Sequence, residues 1–399
     1  MFYLVPPAGT PVTFGDIFRI KAARMRPAAA LAKFTDQIKN HTRAGHCFFV
    51  NSGRSAQTLI LEALKELASS DKNEVVIPAY TCYSVPASIV RAGLKIRIVD
   101  IDPDTLDYNY DQLRNIDFSK VLALNASNLF GLVSDWDKLK ILADKHDVFF
   151  IDDAAQTMGT LYRGKPSGAC GDAGFYSLDR GKNLSTFAGG VLITDNDTLA
   201  DKITGFTDQL KEPGLLFEAG LLAKMILYSL LLRPRLYWLP DALPFLRLGE
   251  TVYDETFAIT KLSKLQIAAG SVLYQKLEFF NKRRTENTRK LAEPIAGFGR
   301  YTIPGYKSDN CPAFLRLPVL ADNKCERDRI MKLLKKNKIK ATAMYPDIIR
   351  NIKRVEPSLV SEDSDFPGAR SVVERLFTLP THPYVRERDI KKIIGCLGG

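Results

Sequence analysis

Through the first half of the chain, apolar runs of strand length alternate with helical patterns, and this alternation restricts the fold more than any other feature. The runs are Cys47–Asn51, Val75–Pro78, Ile96–Asp100, Val121–Asn125, Val148–Asp152, Ala173–Leu178 and Gly190–Thr194. Between them, Ser55–Ala68, Ser84–Ala92 and Asp135–His146 carry helical periodicity. Segment Ser55–Ala68 sets Leu59, Ile60, Ala63, Leu64 and Leu67 along one stripe, as an amphipathic helix requires. Such alternation predicts an α/β domain whose mostly parallel, seven-stranded sheet is covered by helices on its faces. The last two runs are joined too tightly for a helical crossover, so one of them should run antiparallel. At 399 residues the chain is larger than one hydrophobic core, and it divides into 1–256 and a smaller C-terminal domain, 257–399.

The texture changes between Leu215 and Leu248. A very apolar stretch, Leu215–Leu232, is broken by Arg233-Pro234-Arg235, and a second, Leu236–Leu248, carries Pro240 and Pro244. Glu218 and Lys224 interrupt the first stretch, leaving it short of the roughly 20 uninterrupted apolar residues of a spanning helix. Two alternatives remain. The insertion is buried in the core or against a second subunit, or it lies in a membrane interface helped by Arg233, Arg235 and Arg247. Beyond it, Lys261–Ile295 reads as one long helix.

Composition narrows the function classes. The 46% hydrophobic and 25% charged shares are those of a soluble globular protein. Cys47, Cys82, Cys170, Cys311, Cys325 and Cys396 show no CxxC spacing, and Met1-Phe2-Tyr3-Leu4-Val5 has no basic lead into an apolar run. A reducing cytoplasm without a signal peptide is the expectation. The four histidines include no two at ligand spacing, so no zinc site is expected. The net charge of +11 suits an anionic partner, yet no nucleic-acid-binding signature accompanies it. The lysines at 332, 335, 336, 338 and 340 read as a solvated face.

Three elements carry chemistry. Ser52-Gly53-Arg54-Ser55-Ala56 follows a strand and opens a helix, where backbone N–H groups and the helix dipole favour an anion such as phosphate. An ordinary serine N-cap explains the same residues. Ile151-Asp152-Asp153-Ala154-Ala155-Gln156 closes an apolar strand, and the two carboxylates point to opposite faces. Such a pair can hold an aromatic cation or a Mg²⁺ ion. Lys182 sits in the turn Asp179-Arg180-Gly181-Lys182-Asn183, a place where lysines ordinarily face solvent. Together, a strand-end carboxylate, an amine on a neighbouring turn and a phosphate-type turn are what pyridoxal phosphate (PLP) needs.

The chain resembles the DegT/StrS family of PLP-dependent nucleotide-sugar aminotransferases. The resemblance rests on the motifs above together with Ile77-Pro78-Ala79-Tyr80-Thr81, Val99-Asp100-Ile101-Asp102-Pro103, Asn128-Leu129-Phe130-Gly131, Gly171-Asp172-Ala173-Gly174-Phe175-Tyr176-Ser177 and Leu379-Pro380-Thr381-His382-Pro383. It implies the aspartate-aminotransferase-like fold (PLP fold type I) over nearly the whole chain. It also implies Lys182 as the Schiff-base lysine, Asp153 as partner of the pyridine nitrogen, Gln156 at the ring oxygen, and Arg54, Ser55 and Ser177 around the phosphate. Lysine at 182 separates the chain from related sugar dehydratases, which carry histidine there.

Two positions depart from the family pattern. The aromatic that stacks on the cofactor is replaced by Cys82, so Tyr83 substitutes for it or the ring is held less tightly. The asparagine that reaches a neighbouring subunit's phosphate falls at Ile259, leaving nearby Lys261 as the candidate. The resemblance implies a cytoplasmic homodimer that moves an amino group from glutamate to a keto-sugar nucleotide for surface polysaccharide synthesis. Alternatives are a cyclitol or lipid-linked sugar as acceptor, and a PLP-fold regulator without turnover.

Overall fold

The structure is a computed structural model and describes residues 3–243, 252–307, 311–360 and 365–399. Its central sheet contains β1 (His46–Val50), β2 (Glu74–Pro78), β3 (Lys95–Val99), β4 (Val121–Ser127), β5 (Phe149–Asp153), β6 (Ala173–Ser177) and β7 (Gly190–Thr194). The spatial order is β1-β7-β6-β5-β4-β2-β3. β7 pairs antiparallel with both neighbours, and every other pairing in the sheet follows one direction. The link between the last two strands, residues 178–189, contains no helix to carry a parallel crossover, and the chain reverses across it. All seven strands overlap the runs read from the sequence. Such continuous apolar runs suit strands covered on both faces.

The helices form where capping residues and periodicity agree. Helix Gly53–Leu67 starts at Ser52, whose hydroxyl accepts from the N–H of Ser55, and it buries Leu59, Ile60, Ala63 and Leu64. Helix Trp136–His146 is capped by Asp135 in the same way. The single long helix expected over Lys261–Ile295 is instead two, Lys264–Leu273 and Leu277–Ala296, joined by the 3-10 turn Tyr274–Lys276. Ser263 and Gln266 close a capping box at the first of these. The tightened turn lies where Lys276 reaches back to the buried carboxylate of Asp16.

A smaller sheet, β8 (Tyr301–Thr302), β9 (Arg316–Ala321) and β10 (Leu376–Pro380), is antiparallel. The N-terminal segment joins this C-terminal part: Val5 N–H donates to Lys338 O at 3.0 Å and Val5 O accepts from Lys340 N–H at 3.1 Å. We propose 1–256 and 257–399 as the two units, with helix Lys264–Leu273 packed back on helices Phe14–Arg24 and Pro27–Thr42.

The apolar insertion forms helix Leu215–Leu231 and the short helix Trp238–Asp241; Pro244 and Arg247 lie outside the described residues. Leu221 and Met225 face the core, while Leu216 is 89% and Leu227 54% exposed. Among the described residues no helix is long and apolar enough to cross a membrane. Lys332, Lys335, Lys336 and Lys338 are exposed, as a solvated face requires, and half-buried Lys340 pairs with Asp241.

Candidate active site

With β7 the one reversed strand, the carboxyl ends of the other central strands collect along one edge of the sheet. That is where open α/β sheets bind ligands. The edge carries Ser52 after β1, Tyr80 and Cys82 after β2, Phe130 after β4, Asp153 at the end of β5, and Ser177 at the end of β6 with Lys182 in the turn beyond it.

The turn after β1 meets β6 across β7, because Gly190 pairs with both Val50 and Ser177. A Cβ on Gly190 would lie 2.2 Å from Ser52 O, and one on Gly53 would lie 2.9 Å from Ser177 Cβ. Only glycine permits so close an approach of these backbones. Ser52 Oγ accepts from Ser55 N–H at 3.1 Å and lies 2.7 Å from Ser55 Oγ, so the N-cap is real and Ser55 sits within it. Helix start, Ser55 and Ser177 thus converge. The Arg54 side chain turns elsewhere: its guanidinium reaches Asp254 Oδ2 at 3.2 Å and lies 4.5 Å from the centre of the Phe257 ring. Lys261 bridges to Val50, beside the start of this turn.

The two strand-end carboxylates divide their work as the alternation predicts. Asp152 turns into the protein, accepting from Asn128 Nδ2 and Gly168 N–H, each at 2.7 Å. Burial pushes its pKa up to about 7. Asp153 accepts from Ala155 N–H at 3.0 Å through Oδ1, and among the described residues no donor reaches its other oxygen. Burial raises the Asp153 carboxyl to about 6, against the opposing pull of the Ala155 hydrogen bond and the positive charge of Lys182. Among the described residues there is no cluster of three or more His, Cys, Asp or Glu side chains that could hold a metal ion.

Lys182 is held by its backbone, leaving its side chain for other work. Its carbonyl accepts from Thr10 Oγ1 and, at 3.4 Å, from Arg284 Nη2. Next to it, Asn183 Nδ2 donates to Asn281 Oδ1 at 3.1 Å, and Asn281 Nδ2 donates to Met158 O at 2.9 Å. Helix Leu277–Ala296 and the N-terminal segment therefore fix the lysine turn from below. Arg284 is fully buried, among the described residues no carboxylate pairs with it, and burial lowers its pKa to about 10. These supports lie far apart in sequence, so no local signal marks them.

Gln156 is also fixed. Its Oε1 accepts from Phe130 N–H at 3.1 Å and its Nε2 donates to the Tyr345 hydroxyl at 3.1 Å. Tyr345 is a residue that the sequence reading missed. Its ring lies 6.0 Å from that of Tyr83 and 6.5 Å from that of Phe130, both stacked, and its hydroxyl also meets the Cys82 side chain. Tyr83 itself is buried against Tyr345 and donates through its hydroxyl to Asp347 O at 3.1 Å. The aromatic beside Cys82 and Gln156 thus comes from the C-terminal part of the chain.

A profile of the DegT/DnrJ/EryC1/StrS aminotransferase family matches residues 21–398. The chain belongs to this family. A pleiotropic regulatory protein of Geobacillus stearothermophilus is 25% identical over 91% of this chain and 87% of its own. GDP-perosamine synthase of Vibrio cholerae is 22% identical over 92% and 89% respectively. The Streptococcus pneumoniae protein Spr1654, solved in PLP, PMP and apo forms, superposes in its PLP form with a TM-score of 0.75 at 19% identity, covering 99% of this chain and 98% of that one. The protein is accordingly a PLP-dependent aminotransferase of fold type I.

Its residues fit the cofactor. A buried carboxylate with one oxygen free of donors suits a pyridinium nitrogen, and the glycine-lined turn between Ser52 and Ser177 leaves helix N–H groups for a phosphate. The Thr81 hydroxyl, buried and without a hydrogen-bond partner among the described residues, lies on the same edge.

Proposed function

We propose that the enzyme transfers an amino group from an amino acid, most simply glutamate, to a keto-sugar carried on a nucleotide, in the synthesis of an amino sugar for surface polysaccharide. One observation supports the assignment of roles: Asp153 ends β5 beside Phe175 of β6, and Lys182 lies in the turn that follows β6. The sugar substrate is supported by the similarity to GDP-perosamine synthase and by the +11 charge, which suits a diphosphate-bearing acceptor.

When bound, PLP supplies an electron sink for the electrons released at the donor's α-carbon. In this reading Lys182 would hold the cofactor covalently and, as a free amine, would move a proton between the donor's α-carbon and the cofactor's C4′, and in the reverse direction onto the acceptor carbon. Asp153 keeps the ring nitrogen protonated, while Asn128 and Gly168 hold its neighbour Asp152 out of the site. Gln156, fixed by Phe130 N–H and Tyr345, would contact the ring oxygen. Ser55, Ser177 and the helix start would hold the phosphate. Arg54 and Lys261 line the approach to that turn, Arg54 on release from Asp254.

We also propose a cytoplasmic homodimer, in which a second copy covers the exposed side of helix Leu215–Leu231. The resemblance to the family and the apolar Leu215, Leu216 and Leu227 on that side support it. Sedimentation of the protein alone and with anionic liposomes tests the covering partner. A dimer that stays in the supernatant supports a second copy, and co-sedimentation that the paired changes Leu227→Glu and Leu231→Glu abolish transfers the surface to the membrane.

The reaction is tested by offering holoenzyme and glutamate a panel of keto-sugar nucleotides, free keto-cyclitols and lipid-linked keto-sugars, with products identified by mass. Amination confined to the nucleotide-linked sugars supports the reading, and amination confined to another group reassigns the acceptor. A holoenzyme whose absorption never bleaches with any amino donor is a regulator without turnover.

A further inference from the structure

Residues 345–349 of the C-terminal part are fastened at three places to the segments that follow β2 and β5. The Tyr345 hydroxyl accepts from Gln156 Nε2 at 3.1 Å, Asp347 O accepts from the Tyr83 hydroxyl at 3.1 Å, and Ile349 N–H donates to Ala79 O at 2.9 Å. Just upstream, Thr342 O accepts from Thr378 N–H at 2.8 Å, which ties the same stretch to β10. Tyr345 thus joins the small sheet to the candidate active site. Its ring is buried and lies 5.8 Å from that of Tyr80, with Tyr83 and Phe130 on other sides. Packing of this kind asks only for an aromatic ring. A hydroxyl in the same place is an extra cost unless it finds partners.

The partners it finds impose a direction. A glutamine amide has one acceptor end and one end with two donors. Phe130 N–H can only donate, so Gln156 Oε1 must face it, at 3.1 Å, and Nε2 must point the other way. One N–H of Nε2 goes to the Tyr345 oxygen, and among the described residues no acceptor takes the second. The hydroxyl in turn meets the side chain of half-buried Cys82, a residue small enough to leave it room. Burial pushes the Tyr345 phenol well above its ordinary pKa, so it remains neutral at any working pH.

We infer that Tyr345 is a positioning residue for the cofactor: its hydroxyl, received in the space beside Cys82, aims the free N–H of Gln156 at the ring oxygen. A hydrogen bond to a charged oxygen favours its charged form. A negative ring oxygen holds a proton on the nitrogen that links PLP to Lys182. A donor that shares the negative charge lets that proton leave at lower pH. Through Gln156, a tyrosine of the C-terminal part therefore sets an acid–base property of the resting site. The inference rests on the proposed place of Gln156 at the ring oxygen.

The experiment titrates PLP-loaded wild type, Tyr345→Phe, Gln156→Leu and the double variant with alkali, in the absence of any substrate. The change in visible absorption gives the pH at which the linking nitrogen is half deprotonated. Loss of a hydrogen bond to a charged oxygen should raise that midpoint by about 1–2 pH units in Gln156→Leu. Tyr345→Phe should raise it by about 0.5–1 unit, because Phe130 N–H still holds the far end of the amide. Added to Gln156→Leu, Tyr345→Phe should move the midpoint by less than about 0.2 unit, since the hydroxyl acts through the amide. A tyrosine with only a structural role would change the melting temperature and leave the titration alone. Equal midpoints for wild type and Tyr345→Phe overturn the inference, as does a Tyr345→Phe shift that persists undiminished without Gln156. If Tyr345→Phe fails to fold, Cys82→Leu, which fills the space at the hydroxyl, replaces it with the same expected shift and the same refuting outcomes. A Gln156→Leu titration identical to that of the wild type refutes instead the place of Gln156 at the ring oxygen.

Discussion

Replacing Asp153 by asparagine tests the electrostatics of the cofactor site before any chemistry occurs. In the protein without cofactor, burial raises this carboxyl from 3.8 to about 6. The direction fixes the pH dependence. The folded state holds its proton more tightly than the unfolded state, so the site costs nothing below about pH 4. Stability then falls as pH rises through the interval between 3.8 and about 6, and the penalty stays constant above it. At about 1.4 kcal/mol per pH unit the full penalty at pH 8 is about 3 kcal/mol. For a chain of this length that corresponds to roughly 3–4 °C in melting temperature. Asparagine keeps an acceptor for the Ala155 N–H and carries no charge. Cofactor-free Asp153→Asn should therefore melt about 2–4 °C above the wild type at pH 8 and within about 1 °C of it at pH 4. Adding PLP should reverse the order, since only the charged aspartate gains from the pyridinium. Thermal melts of both proteins, with and without cofactor at the two pH values, provide the measurement. If the variant is no more stable than the wild type at pH 8, or gains as much from PLP, Asp153 is not the partner of the ring nitrogen.

Further outcomes follow from the supports of the site. Lys182→Ala should lose both turnover and the borohydride-reducible link to PLP while melting within about 2 °C of the wild type, because only its backbone is woven into the fold; mass spectrometry after reduction reads this, and labelling that persists reassigns the lysine. Arg284→Met should cost about 2–4 kcal/mol by chemical denaturation, since it strips donors from Thr10, Asn281 and the Lys182 carbonyl in a fully buried place. Tyr345→Phe should weaken PLP binding only a few-fold, whereas Tyr345→Ala, which removes the ring beside Cys82, should weaken it at least about tenfold in a fluorescence titration. Equal effects of the two changes would leave the ring without a role.

The sequence by itself determined the seven-stranded sheet. Strand-length apolar runs such as Val148–Asp152, capping serines such as Ser52 and the short link before Gly190 are local instructions, and each acts within a few residues of where it is written. The order of Ser52, Asp153, Gln156, Ser177 and Lys182 was legible for the same reason, because residues at the ends of parallel strands gather at one edge whatever surrounds them. What only tertiary structure decided is how those residues are held. Thr10 and Arg284 fix the carbonyl of Lys182 from 172 and 102 residues away, and Tyr345 meets Gln156 across 189. Such contacts leave no periodicity in the chain, since their partners are set by how the C-terminal part and the N-terminal segment pack against the central sheet. The same holds for Arg54, whose place in a phosphate-type turn predicts an anion partner until Asp254 and Phe257 arrive beside it.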